Sequence, residues 1–137
     1  PFKGCTNLEK IVLPASVKTI ESGAFENCTS LKEIVFTGEC DGLSLATGAF
    51  KNCSSLEKIT LPAGLKKLED KTFEGCVKLK DIFVKGEIAV SIGREDRPFE
   101  IIEGMRIHIK ASAMSSYSAT WEAYAEYLVG EETVEEV

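Results

Sequence analysis

Histidine, tryptophan and basic charge are what this chain of 137 residues has least of. It carries one His and one Trp, and 22 Asp and Glu outnumber 16 Lys and Arg, for a net charge of −6. A lone histidine excludes the paired imidazoles of most metal sites. The acidic balance removes the electrostatic footprint of a nucleic-acid binder and any pull toward anionic lipid. No apolar run approaches the roughly 20 residues of a membrane-spanning helix. There is no glycine-rich phosphate cradle: Gly86 and Gly93 are isolated in a polar stretch, 86–97, that reads as a loop. Five cysteines are present, but without the Cys-x-x-Cys spacing of zinc sites. The hydrophobic share of 44% and charged share of 28% suit one soluble, well-buried domain.

What is present is a repeat. Phe2-Lys-Gly-Cys5, Phe25-Glu-Asn-Cys28, Phe50-Lys-Asn-Cys53 and Phe73-Glu-Gly-Cys76 recur at spacings of 23, 25 and 23. Leu8, Leu31, Leu56 and Leu79 follow in register, as do Ile11, Ile34, Ile59 and Ile82. Period-two alternation at the end of each unit marks a short strand, with Ile11/Leu13, Ile34/Phe36, Ile59/Leu61 and Ile82/Val84 pointing inward. Ile107/Ile109 reads as a fifth rung, and Pro14 and Pro62 end their strands. A second apolar pair follows in Val17/Ile20, Leu43/Leu45 and Leu65/Leu68. Ser22, Thr47 and Asp70 stand where a helix N-cap belongs, three residues before each Phe. Gly4, Asn27, Asn52 and Gly75 stand where a left-handed residue would end a helical turn. Each unit is therefore expected to be a strand, a turn and one helical turn carrying the Phe. Units this small must stack in parallel to bury a common core.

Charge supports the stacking. Glu9-Lys10, Lys32-Glu33, Glu57-Lys58 and Lys80-Asp81 invert sign from unit to unit. At the roughly 4.8 Å spacing of stacked strands, opposite charges pair and like charges repel. Lys10, Glu33, Lys58, Asp81 and Arg106 are expected to form one alternating ladder across five strands, acting mainly on register.

Two segments, Gly-Ala-Phe-Glu-Asn-Cys-Thr-Ser-Leu-Lys-Glu-Ile (23–34) and Gly-Ala-Phe-Lys-Asn-Cys-Ser-Ser-Leu-Glu-Lys-Ile (48–59), carry a resemblance. Over about residues 1–85 the chain resembles the BspA-like class of leucine-rich repeats. That resemblance implies a right-handed α/β repeat solenoid, with a parallel sheet on one face and short helical turns on the other. It also implies a cell-surface or secreted protein of the adhesion type, with a host or matrix protein as partner. Residues 37–46 carry two extra residues and lack the proline, so that turn should bulge. The chain begins inside a repeat, without Met or a signal-peptide pattern, and reads as a C-terminal piece of something longer. An open edge near Pro1–Leu13 is then expected to self-associate.

After residue 85 the pattern decays: Phe99 lacks its Cys, and Phe99 to Ile107 is one residue shorter than Phe73 to Ile82. Residues 1–110 are read as the solenoid, 111–130 as a capping helix and 131–137 as an acidic, mobile tail. Ser112 would cap a helix running to about Leu128. Its stripe of Tyr117, Trp121, Tyr124 and Leu128 would lid the last coil. Gly130 would break it.

Most residues that suggest chemistry have a repeat position that explains them. The four register cysteines read as buried thiols acting as small hydrophobes, with stacked disulfides and metal as the alternatives. Cys40, off register in the bulged turn, is the expected exposed or reactive thiol. Asn27-Cys-Thr29 and Asn52-Cys-Ser54 match the glycosylation sequon but are already turn residues. His108 is expected on the outward face of its strand, and Ser112, Ser115 and Ser116 read as cap and loop. No catalytic residue, metal ligand or cofactor site is assigned. The outward row Val12, Val35, Thr60, Phe83 and His108 is the candidate protein-contact strip, with Phe83 central. A passive spacer presenting another domain is the alternative reading.

Overall fold

The structure, a computed structural model, describes residues 3–86, 90, 92 and 97–132. Phe2, most of the expected polar loop and the tail beyond residue 132 lie outside the described residues. Each repeat contributes a strand to one face: β1 (Lys10–Leu13), β3 (Glu33–Phe36), β5 (Lys58–Leu61), β7 (Asp81–Val84) and β8 (Arg106–Lys110). The second apolar pair forms a sheet of its own on an adjoining side, β2 (Thr19–Ile20), β4 (Leu43–Leu45) and β6 (Leu65–Leu68), in the order β2-β4-β6. All pairings are parallel and in repeat register, as in Lys10↔Glu33 and Ile82↔Ile107. The chain is a repeat solenoid. The two extra residues of 37–46 are taken up in a turn with left-handed Cys40 and Gly42, and the register shift opposite Leu43 and Ser44 comes from an extra residue in β6, Lys66.

The third side is a column of phenylalanines. Phe25, Phe50, Phe73 and Phe99 stack with centroids 5.3, 5.3 and 5.2 Å apart and planes within 10° of parallel. Aromatic pairs within this centroid range are worth about 0.5–1.5 kcal/mol per contact beyond area burial. The helical turn expected around each Phe is instead a run of tight turns. Ala24 N donates to Glu21 O, Glu26 N to Gly23 O and Cys28 N to Phe25 O, all three residues back. The remaining donors reach sideways: Phe25 N bonds Ala49 O, and Asn27 N bonds Lys51 O. Lateral bonding between coils outcompetes the helix, because it satisfies the same donors and fixes the stack.

The expected caps act laterally too: Ser22 Oγ donates to Thr47 O at 2.8 Å, and Asp70 Oδ1 accepts from Arg97 N at 2.7 Å. The turn-ending residues do adopt the left-handed conformation, with φ of 64° at Asn27, 61° at Asn52 and 79° at Gly75. Asn52 Nδ2 also donates to Asn27 Oδ1 at 3.0 Å, so that amide is already engaged. A methyl at Gly75 would meet Asn52 Oδ1, so that side chain would have to turn aside.

The C-terminal cap differs from one long helix. A 3₁₀ turn (Ala111–Ala113) leads into α1 (Met114–Thr120), then a second 3₁₀ segment (Glu122–Tyr127), then β9 (Leu128–Glu131). Ser112 makes no cap; α1 starts from Ala113 without a side-chain hydrogen bond. The aromatic lid is nonetheless in place. Tyr117, Trp121 and Tyr124 are fully buried, with Trp121 and Tyr124 centred 5.9 and 5.8 Å from Phe99. Each finds a polar partner: Tyr117 Oη donates to Gly86 O (3.1 Å), Trp121 Nε1 to Val90 O (2.7 Å) and Tyr124 Oη to Phe99 O (2.7 Å). These fixed anchors set where each ring sits, and the backbone tightens from α to 3₁₀ to meet them. Gly130 does not break a helix. It pairs with Ile109 in β9, and Glu131 pairs with Lys110, so the acidic tail begins as a sheet strand.

Candidate functional site

The face that carries the outward row is not one continuous sheet. β1 pairs with β3, and β5-β7-β8-β9 form a second sheet, but β3 and β5 share no ladder. The cause can be read from the coil ends. Thr37 N donates to Leu13 O at 3.0 Å and Lys85 N to Leu61 O at 3.2 Å, closing the strand ends in their coils. The equivalent residue of the third coil is Pro62, which has no N–H to give to Phe36. The extra residues of the second coil add to this. They turn at Cys40 (φ 51°) and Gly42 (φ 81°) and lock onto the next coil through Gly42 N to Gly64 O (2.9 Å) and Gly64 N to Glu39 O (2.6 Å).

The strand register that aligns the charge ladder is interrupted at the same place. Lys10 and Glu33 are paired in register, with an ion pair at 3.8 Å, and Lys58, Asp81 and Arg106 are paired in register beyond it. Glu33 and Lys58 lie on β3 and β5, which share no strand pairing. A groove opens over the split. One cavity of about 260 Å³ lies over Ile34, Val35, Ile59, Thr60 and Phe83. It adjoins another of about 660 Å³ toward Val77 and Lys78, and Lys32 and Lys58 line both.

Along the row, Val12 is 55% exposed and Val35 and Thr60 are half-buried. Phe83 and His108 are buried at 6% and 8% exposure, despite facing outward. Their rings stack on one another with centroids 4.4 Å apart and planes 12° from parallel. His108 Nε2 lies 2.9 Å from Asp81 Oδ1, and Nδ1 lies 3.0 Å from Glu131 Oε2. A carboxylate only accepts, so the doubly protonated ring is the form that donates to both. With both nitrogens occupied, His108 offers no free nitrogen as a general base. The two carboxylates flank opposite edges of the ring and do not converge on one point. Among the described residues no three metal-ligating side chains do.

The sequence row therefore splits in two. Val12, Val35 and Thr60 form an open part beside the groove, while Phe83 and His108 form an internally packed part. Sequence reading missed Val129, which extends the row beside His108, and Glu131, which pins it. The available signal was a short β-prone run, Tyr127-Leu128-Val129, hidden behind a helical stripe.

None of the five cysteines is in a disulfide. Cys53 Sγ donates to Phe25 O at 3.4 Å and Cys76 Sγ to Phe50 O at 3.1 Å. The hydrogen bond with Cys76, and then burial, push the Cys53 thiol up; burial raises Cys28. Cys40 is not the exposed thiol. It is 1% exposed, with Sγ 3.8 Å from Pro14 O, because the bulged loop folds inward; Cys5 is the half-buried one.

A family model described as BspA-type leucine-rich repeat region matches residues 1–95, in six copies. A solved structure similar to this chain is that of a leucine-rich repeat protein from Bacteroides ovatus, at 22% identity and a TM-score of 0.33. The match covers 81% of this chain and 45% of that one. The chain thus spans under half the length of that relative. No curated protein matches.

Proposed function

The chain belongs to the BspA-type leucine-rich-repeat family, and from that premise we propose that it is a non-catalytic protein-binding module of the adhesion type, acting at a cell surface or after secretion. The observation that carries this reading is the open part of the outward row. Val12 and Val35 sit side by side on paired strands, and Thr60 faces the groove at the split. Exposed apolar residues beside a groove suit a protein contact better than catalysis. The engagement of both His108 nitrogens by carboxylates argues the same way. Repeat solenoids are a binding architecture, in which a row of equivalent positions gives one extended contact surface.

The test is capture of the chain on a panel of immobilised extracellular-matrix proteins, comparing wild type with Val12→Glu and Val35→Glu. The reading predicts saturable binding to at least one of them, lost in either variant. Equal binding by all three proteins would remove the strip from consideration. One observation favours a second reading, a passive spacer: Phe83 and His108, two of the five row positions, are spent on internal packing. A spacer would bind none of the panel.

A further inference from the structure

The split between β3 and β5 has a chemistry of its own, and it refines the reading of the face as a protein contact, on which it rests. We propose that the groove over the split takes an acidic, extended polypeptide segment in which carboxylates alternate with apolar side chains.

The floor is partly apolar. Val35 and Phe83 line it beside Thr60, while Ile34 and Ile59, from the two strands that fail to pair, face the core and are nearly buried. The rim is basic. Lys32, Lys78 and Lys80 line the larger cavity and are exposed, and among the described residues none of the three lies within ion-pair distance of a carboxylate. Three carboxylates share the lining. Glu33, in the smaller cavity, faces Lys10 at 3.8 Å, and Asp81, in the larger, lies 2.9 Å from His108. Glu57 is the third, so four lysines stand against three carboxylates, two of which have partners outside the groove. A chain of net charge −6 thus presents a locally positive groove at one break in its sheet.

The apolar part of the lining favours a polypeptide over a small or sulfated anion. Val35 and Phe83 ask for apolar side chains, and Val77, 58% exposed, adds to them beside Lys78. The combined space matches known ligand clefts, which run to roughly 300–1,000 Å³. Charge on the rim would act mainly on encounter rate and choice of partner, and would weaken with salt.

The experiment titrates the intact chain against three fluorescent probes: a peptide of alternating Glu and Val, its Gln-Val counterpart, and heparin as a sulfated polyanion. Each is repeated on Lys78→Glu/Lys80→Glu and on Val35→Glu, with circular dichroism to confirm folding. The inference predicts that the Glu-Val peptide binds about tenfold or more tightly than Gln-Val at low salt, and that the double lysine variant removes the difference. Equal binding of both peptides, lost in Val35→Glu, would overturn the acidic specificity while leaving the contact face intact. Binding of heparin with neither peptide would overturn the inference in favour of a non-protein polyanion. No binding of any probe would overturn the inference alone, because the matrix-protein panel reads the face independently.

Discussion

His108 and Glu131 meet at 3.0 Å, Nδ1 to Oε2, and this bond ties the last strand of the chain to the solenoid. The same ring stacks on Phe83 and reaches Asp81, so one imidazole joins three neighbouring strands, β7, β8 and β9. Its burial and its partners make it a fastener of the C-terminal edge.

Replacing His108 with Ala should therefore loosen β9 before anything else. The loss of two side-chain hydrogen bonds and one stack is expected to cost about 2–4 kcal/mol. Amide hydrogen exchange at Leu128–Glu131 should accelerate while the Phe column keeps its protection. Unchanged exchange in β9 would show that the strand is held by backbone pairing alone.

The buried lid makes stability sensitive to alkali. Burial pushes both Tyr117 and Tyr124 up to about 12, with the bond that Tyr124 Oη accepts from Phe99 N partly opposing the shift at Tyr124. Tyrosines in the unfolded chain ionise near pH 10. Between these values the folded form holds more protons than the unfolded form. Stability is thus intact below about pH 10 and falls as pH rises toward 12, by about 2–3 kcal/mol for each ring. Cys28 and Cys53, also held protonated, act in the same direction from lower pH. Urea unfolding at about pH 8 and about pH 11 should show the loss, with a shallower slope in Tyr117→Phe. Equal stability at both pH values would contradict the buried lid.

Thiol labelling ranks the cysteines. Cys5, half-buried, should react with an alkylating reagent first, and Cys28, Cys40, Cys53 and Cys76 only on unfolding. Mass mapping after a short exposure reads the order directly. Early modification of Cys40 would mean that the bulged loop is open in solution.

How far the sequence could be read depended on what each residue answered to. Columns fixed by burial were legible: Phe25, Phe50 and Phe73 stack as their spacing implied, and Ile34, Ile59 and Ile82 face the core. The left-handed turns at Asn27 and Asn52 were legible because few residue types tolerate that conformation. The helical turns were not, since the same N–H groups had lateral carbonyls available that only the stacked coils reveal. The capping helix misled for a related reason. Tyr117, Trp121 and Tyr124 fit a helical stripe, but their hydrogen bonds to Gly86, Val90 and Phe99 set the backbone instead.

The candidate site was half legible. Val12, Val35, Thr60, Phe83 and His108 were expected on the outward side, and the strand registers align them in that order on either side of the split. Which of them stay open was decided by residues far away in sequence. Glu131 and Asp81 close over His108, and Pro62 withholds the donor that would have sealed β3 to β5.

Amide exchange across that split tests the central claim most directly. In β7, which is paired on both sides, protection should be high throughout. In β3 and β5 the amides that face each other should exchange faster than those facing β1 and β7. Pro62→Thr, which restores a donor where the second coil has Thr37, should slow them. Uniform protection in β3 and β5, equal to that of β7 and unchanged in Pro62→Thr, would mean the sheet is continuous and the groove does not exist in solution.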